Sequence, residues 1–422
     1  MNNHLRANLW LVVLTLVLCS MLYPLALLGV GQVAFPHQAQ GSLLDEKGEP
    51  TTEPAKARGS RLIAQGFSGD EYFQPRPSAA SYNGAASSGS NWGSSNYALR
   101  NRVARALGPI VKYKGTPPKG KTVQEDLEDW FRKDVYQGRS GIVAQWARAH
   151  PSLAADWVKQ DKVTADEVAR WANAHPEAVT KWRKANPSTP NPKPEDLAVP
   201  FFESVSSERS GKWPTVVEKT VAGETKKEIV WVEKGTEIQS VFFDMWRQDH
   251  PNVELENVPA DMVMASGSGL DPHITLANAR YQLKHRVAAA QAAKLLKARV
   301  DELIKASEAT GKKVDEAERK EIEKRVRGEA EAKLGKPLGQ KIHETLERLL
   351  EGRKEAPFGG LVGVDLVNVL EVNLAMNAEM RRLAKAIGGG GSRIEARLWH
   401  GPRLWHGLLT PRLWHGLLTV PL

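Results

Sequence analysis

Ser266, Ser268, Asp271 and His273 bring the side-chain types of a nucleophile, an acid and a base into one short stretch. In acyl transfer, that chemistry needs a hydroxyl beside an imidazole that a carboxylate orients. The spacing argues against it. A Gly-x-Ser-x-Gly elbow needs glycine where this chain has Ser266. Asp261, Asp271 and His273 also offer oxygen and nitrogen to a metal ion, but no further ligands can be named to complete a site. The expectation is therefore no catalytic residue and no metal. The surrounding stretch, Val258 to His273, has the small-residue centre Ser266-Gly267-Ser268-Gly269. Such a backbone can turn tightly and approach another surface or an anion. Asp271 followed by Pro272 predicts a helix start, with Asp271 as its cap. Asp261, Ser266, Gly267, Ser268, Gly269, Asp271 and His273 are accordingly candidates for binding or interaction.

A second motif points to nucleotide chemistry. Gly115-Thr116-Pro117-Pro118-Lys119-Gly120-Lys121-Thr122 fits the phosphate-loop pattern literally. That loop works through consecutive backbone N–H groups, and Pro117 and Pro118 have none. No alternating strand and helix pattern surrounds it. The expected structure is a Pro/Lys-rich connector leading to a helix near Val123 to Lys133.

The elements that must position these residues begin with a membrane helix. Ala7 to Gln40 contains no Asp, Glu, Lys or Arg, and Leu9 to Leu28 is almost wholly apolar. That is enough to cross hydrocarbon as one helix. The run exceeds a signal-peptide h-region, no Ala-x-Ala-like site follows it, and bulky Leu18 before Cys19 disfavours lipoprotein processing. Arg6 precedes the span and Asp45 and Glu46 are the first charges after it. The positive-inside rule then puts the N-terminus in the cytoplasm and the main domain outside. Tyr23 and Pro24 are membrane-contact candidates, because a proline in a span kinks the helix and can shape a contact with partner helices.

The chain has 422 residues, of which 41% are hydrophobic, enough for a core. Its net charge is +9, but Lys and Arg alternate with Glu along the later helices instead of forming a basic stripe, so a nucleic-acid partner is not expected. The single cysteine, Cys19, excludes an intrachain disulfide and a thiolate zinc cluster. Gly59 to Gln65 reads as a short strand and Ala98 to Leu107 as a helix. Between them lies a Ser/Gly/Asn-rich run that Tyr82, Trp92 and Tyr97 anchor as an ordered loop.

Further along, Val143-Ala144-Gln145-Trp146-Ala147-Arg148-Ala149-His150-Pro151 recurs as Val168-Ala169-Arg170-Trp171-Ala172-Asn173-Ala174-His175-Pro176. Trp246 with His250-Pro251 reads as a degenerate third copy. Trp and His four apart share a helix face and the proline ends the helix, which predicts short helices packed by tryptophan. A partner-docking face with His150 and His175 as ligands is the alternative. Residues 306–356 alternate Lys, Arg and Glu around sparse apolar residues, which predicts a solvated helical hairpin. A glycine run from Gly388 to Gly391 leads to a tail in which Arg-Leu-Trp-His-Gly repeats at 397, 403 and 412.

Three blocks carry a family resemblance. The first is Tyr23-Pro24-Leu25, Gln32, Phe35-Pro36, Gln38-Ala39 and Gly41-Ser42-Leu43. The second is Gly59-Ser60, Gln65, Tyr72-Phe73, Arg76-Pro77-Ser78 and Ser88-Gly89-Ser90-Asn91, with Gly93 and Asn96. The third is Val258 to His273 with Arg286-Val287-Ala288, Val367-Asn368-Val369-Leu370 and Asn373-Leu374-Ala375. In these blocks the sequence resembles the C subunit of the Kdp-type potassium-transporting ATPase. It departs from that pattern at Gln40, Trp92, Tyr97, Met264 and Thr275-Leu276, where the family commonly starts a helix with Ser-Pro.

The resemblance adds Arg76 to the interaction candidates and implies a single-span subunit of a bacterial inner-membrane pump. In such a pump ATP and potassium belong to the complex, with a channel-like potassium-binding subunit and a P-type ATP-hydrolysing subunit as partners. This chain would be non-catalytic, assembling the complex and raising the catalytic subunit's ATP affinity. A membrane-anchored extracytoplasmic scaffold unrelated to transport is the alternative. The expected fold is α+β. A short tail (1–8) and a transmembrane helix (9–31) precede a small α+β domain in three parts (32–109, 253–305, 357–387). Two mainly helical insertions (110–252, 306–356) interrupt that domain, and a low-complexity C-terminal tail follows (388–422).

Overall fold

A computed structural model describes residues 2–114, 122–132, 142–160, 162–208, 213–221, 224–232, 243, 246–247, 250–309 and 313–388. The phosphate-loop pattern up to Lys121, and the tail beyond Gly388 with its Trp-His repeats, lie outside them. The described residues group into two units, one drawn from Met1–Ser90 and Pro259–Leu422 and the other from Asn91–Val258. The architecture is mostly helical with small sheets.

The first unit starts with the charge-poor run, which forms one helix long and apolar enough to cross a membrane. His4–Ala34 spans 31 residues, its most apolar window has mean hydropathy 2.5, and none of that window is buried. At ~1.5 Å per residue it is about 46 Å long, more than the ~30 Å hydrocarbon core. Within it, Val17–Leu22 is a π-helical turn, closed by Tyr23 N–H donating to the Leu18 carbonyl. The widened turn sits directly before Pro24, which has no N–H to donate back along the helix.

After the helix, Leu43–Leu44 pairs antiparallel with both Pro50–Thr51 and Gly59–Ser60. The expected strand through Gln65 stops at Ser60. There the Ser60 hydroxyl donates to the Gly41 carbonyl at 2.7 Å and accepts from Leu62 N at 3.1 Å, turning the chain out of the ladder. A second antiparallel pair joins His273–Thr275 to Leu366–Asn368, in register Ile274 to Val367.

The core of this unit is built on Val369–Ala386, a helix that buries Leu370, Leu374, Met376 and Met380. Asn368 caps it by accepting from Glu371 N. Against this core pack Ala288–Ala309 and Leu338–Gly352. The second of these helices corrects the expectation of a solvated excursion over 306–356. Leu338, Ile342, Leu346, Leu349 and Leu350 recur at three- and four-residue steps, so a charge-rich sequence still presents a full apolar stripe, and all five are buried. Glu316–Leu334 is closer to expectation, with mostly exposed charges, but Val326 and Ala330 join the core.

The second unit is a set of short helices around Trp157, Phe201, Phe202 and Trp246. The Trp-His spacing has a clear local consequence. Trp171 and His175 stack with ring centroids 5.2 Å apart, and Trp246 and His250 do so at 4.9 Å. In both, His Nδ1 lies 2.9 Å from the tryptophan carbonyl four residues earlier. The degenerate third copy thus repeats the geometry of the second. Pro151 and Pro176 each open the next helix as well as closing the last. The unit also contains a hairpin, Trp213–Val221 paired with Glu224–Val232, inside the insertion expected to be mainly helical.

Candidate functional site

The Ser/Gly loop is tied down at both ends and through both serine hydroxyls. Ser266 N–H donates to the Pro77 carbonyl at 3.0 Å and Ser88 N–H to the Ser268 carbonyl at 3.0 Å. The Ser78 hydroxyl donates to the Gly269 carbonyl at 2.6 Å. Inside the loop, Ser266 Oγ accepts from Asp271 N at 3.3 Å and Ser268 Oγ from Leu270 N at 3.1 Å. Gly269 has φ of 72°, and a Cβ there would lie 2.8 Å from the Ser88 carbonyl oxygen. This is the close backbone approach that a small-residue loop permits. Gly267 faces open space, and Ser268 is exposed beside it.

Arg76 is the outer brace. Its guanidinium reaches the Ala265 carbonyl at 3.2 Å and Asp271 Oδ2 at 3.5 Å. The resemblance, not the spacing, is what made Arg76 a candidate, since it lies far from the loop in sequence.

Asp271 does not start a helix, which corrects that expectation. Its Oδ1 accepts from His273 N at 3.0 Å, and the chain continues into the His273–Thr275 strand. Thr275 caps the following helix, Leu276–Gln282, by accepting from Asn278 N at 3.1 Å. Pairing with Leu366–Asn368 holds the backbone extended through Thr275, so the helix starts four positions later than Pro272 suggested.

Asp261 fixes that cap. It accepts from Thr275 N at 2.8 Å, from the Thr275 hydroxyl at 3.1 Å and from Asn278 Nδ2 at 3.0 Å.

His273 sits between carboxylates, with Nδ1 3.5 Å from Asp271 Oδ1 and Nε2 3.9 Å from Glu355 Oε2. The interaction with the Asp271 side chain raises the imidazole's pKa above its ordinary value. The same interaction holds the Asp271 carboxyl below its usual value. Behind them Arg61 joins Glu355 and Glu371, each at 2.6 Å. Sequence reasoning missed Arg61 and Glu355, which lie far from the loop in sequence; Glu355 pairs with Leu366, and the Arg61 carbonyl accepts from Asn368 Nδ2 at 2.8 Å.

This arrangement does not assemble a nucleophile. Among the described residues no serine hydroxyl hydrogen-bonds the His273 ring, and Ser266 Oγ is occupied by a backbone N–H. Asp261 is committed to the helix cap, away from Asp271 and His273, and no group of three or more His, Cys, Asp or Glu among the described residues is placed to hold a metal ion. What the site does offer is an open, mostly apolar groove of about 580 Å³, lined by Arg76, Pro259, Asp261, Met264, Leu276 and Val364 among others. Tyr23 and Pro24 are both exposed along the N-terminal helix.

Comparison with known proteins gives these features a context. The family model described as KdpC, K+-transporting ATPase, c chain, matches residues 5–127 and 233–317. A potassium-transporting ATPase KdpC subunit of Pseudomonas putida is 51% identical over 105 residues, which cover 25% of this chain and 54% of that protein. One from Pseudomonas syringae pv. tomato is 52% identical over 103 residues, covering 24% and 51%. One from Myxococcus xanthus is 48% identical over 98 residues, covering 22% and 43%. The chain thus spans about half the length of the curated relatives it matches. The matched segments contain both the apolar helix and the whole Ser/Gly loop, and on that basis the chain belongs to the KdpC family of K+-transporting ATPase c chains.

Proposed function

We propose that this chain is a non-catalytic, single-span subunit of an ATP-driven potassium import pump in a bacterial inner membrane. Its partners are a channel-like potassium-binding subunit and a P-type ATP-hydrolysing subunit, which hold the potassium and the ATP. The supporting observation is the internal hydrogen bonding of the Ser/Gly loop. Ser266, Asp261 and Asp271 spend hydrogen-bonding capacity on their own unit, and Arg76, which braces the loop, also lines the neighbouring groove. A shaped, mostly apolar groove suits docking to another protein better than turnover of a substrate.

The main domain lies outside the membrane, following the charge bias around the apolar helix. Its effect on ATP affinity then passes through the helix and the neighbouring subunits as a coupling free energy, typically ~1–3 kcal/mol. Two experiments test the reading. A strain lacking this chain should stop growing at limiting potassium and recover when the chain is restored; growth without it would overturn the pump assignment. An alkaline-phosphatase fusion after Gly41 should be active, and an inactive, stably made fusion would overturn the outward placement.

A further inference from the structure

The apolar surface near the groove continues into a finger. Glu355 and Leu366 exchange backbone hydrogen bonds at 2.8 and 2.9 Å and close the base of a loop. Residues 356–364 within it carry no charged side chain. Leu361, Val362 and Val364 are 87%, 66% and 60% exposed, a concentration of aliphatic surface that water alone disfavours. Gly359, Gly360 and Gly363 all have positive φ, so the finger's shape is written into residues that tolerate that backbone.

Its base is joined to the end of the apolar helix. Phe35 ends that helix, and the chain then winds through one short turn in which Ser42 N–H donates to the His37 carbonyl at 2.9 Å. The Ser42 carbonyl accepts from Arg61 N at 3.0 Å, and the Arg61 guanidinium holds Glu355 at 2.6 Å. Three residues therefore connect the helix exit to the finger's base. The exposed apolar surface of the helix itself runs through Val33 and Phe35 to this same end, and Leu62, next to Arg61, is exposed too. A loop of this length extends at most ~16 Å from its base, comparable with the depth of the headgroup layer.

We propose that residues 356–363 are a lipid-contacting finger, resting Leu361 and Val362 in the headgroup–acyl boundary of the bilayer that the N-terminal helix crosses, while Val364 at its foot lines the groove. The inference rests on the reading of that helix as a span. Lipid suits the finger because its exposed tip residues, Leu361 and Val362, are aliphatic and its base is tied through Arg61 and Ser42 to the exit of the apolar helix. Arg353, near the finger's base, is an exposed cation at the level where phospholipid headgroups would lie, whereas Lys354 is held by Glu351 at 3.1 Å and Asp365 at 3.3 Å.

The test uses the full chain in phosphatidylcholine/phosphatidylglycerol vesicles with acyl-brominated lipid as quencher. An environment-sensitive dye is placed on native Cys19, on Leu361→Cys in a Cys19→Ser background, or on Lys324→Cys in the same background as an exposed control. The dye at 361 should be quenched at least about twofold more than at 324 and shift to the blue. If Cys19 is quenched but 361 behaves like 324, the finger proposal fails while the span stands. If Cys19 is not quenched, the span reading fails and the finger fails with it. Shielding of 361 from aqueous iodide without lipid quenching would mean that protein covers it, which also overturns the proposal.

Discussion

Asp261 holds Thr275 with both carboxylate oxygens, taking its backbone N–H at 2.8 Å and its hydroxyl at 3.1 Å. Because Thr275 caps the Leu276–Gln282 helix and Asn278 also donates to Asp261, one carboxylate sets the junction between loop, strand and helix. Asp261→Ala should destabilise the protein by about 1–3 kcal/mol, the cost of leaving the buried Asn278 amide and a half-buried N–H without an acceptor. Asp261→Asn, which keeps one oxygen, should lose less. Denaturant unfolding of the purified chain measures both; an unchanged midpoint for the alanine variant would remove Asp261 from this role.

Two glycines of one loop should respond in opposite ways. Gly269→Ala places a Cβ against the Ser88 carbonyl at a φ of 72°, and should cost about 1–3 kcal/mol. Gly267→Ala meets nothing within 4 Å and should change stability by less than about 0.5 kcal/mol. Equal losses would mean the loop is not held as described.

Asn373 acts as a piece of strand. Its side chain accepts from Phe73 N at 3.0 Å and donates to the Phe73 carbonyl at 2.9 Å, in a fully buried setting. Asn373→Leu fits the volume but strands two backbone groups, so about 2–4 kcal/mol should be lost in thermal or denaturant unfolding. A neutral variant would show that water reaches this site.

The Asp271–His273 pair predicts a pH dependence with a definite sign. The raised pKa of His273 means that its contribution is complete below the ordinary value of 6.5 and lost as pH rises through the raised value. The depressed pKa of Asp271 means that its contribution is present above 3.8 and lost as pH falls through the lowered value. Between 3.8 and 6.5 both are in place. Stability should therefore decline as pH rises above 6.5 through the raised pKa of His273, and His273→Gln should flatten that decline. Parallel unfolding curves for the two proteins across this range would exclude the pair as the cause. Glu355, Arg61 and Arg76 face the same pair and set the size of the effect.

The sequence made some of this legible for local reasons. A charge-free apolar run needs no tertiary context to become a helix, and the Trp-His spacing placed both rings on one face before any contact was known. What failed depended on distant partners. Asp271-Pro272 and Thr275-Leu276 are competing helix starts, and only pairing with Leu366–Asn368 decides between them. The buried stripe of Leu338–Gly352 was present in the spacing, but its density of Lys, Arg and Glu drew the reading toward solvent. The hairpin's strands are rich in β-branched residues, Val216-Val217 and Ile229-Val230 among them, but without a clean alternation that would separate them from the neighbouring helical repeat. In the groove, Val364 meets Met264 and Arg76 from remote parts of the chain, and no local signal brings the three together.

The central claim, that this chain works as a docked subunit of a potassium pump, is tested most directly by co-purification. The full chain, tagged at its C-terminus, is isolated in mild detergent from native membranes of cells grown at limiting potassium. A P-type ATPase subunit and a channel-like potassium-binding subunit should come with it in a fixed ratio and be lost when Met264 and Val364 are both changed to Asp. Recovery of the intact chain with neither subunit would contradict the account.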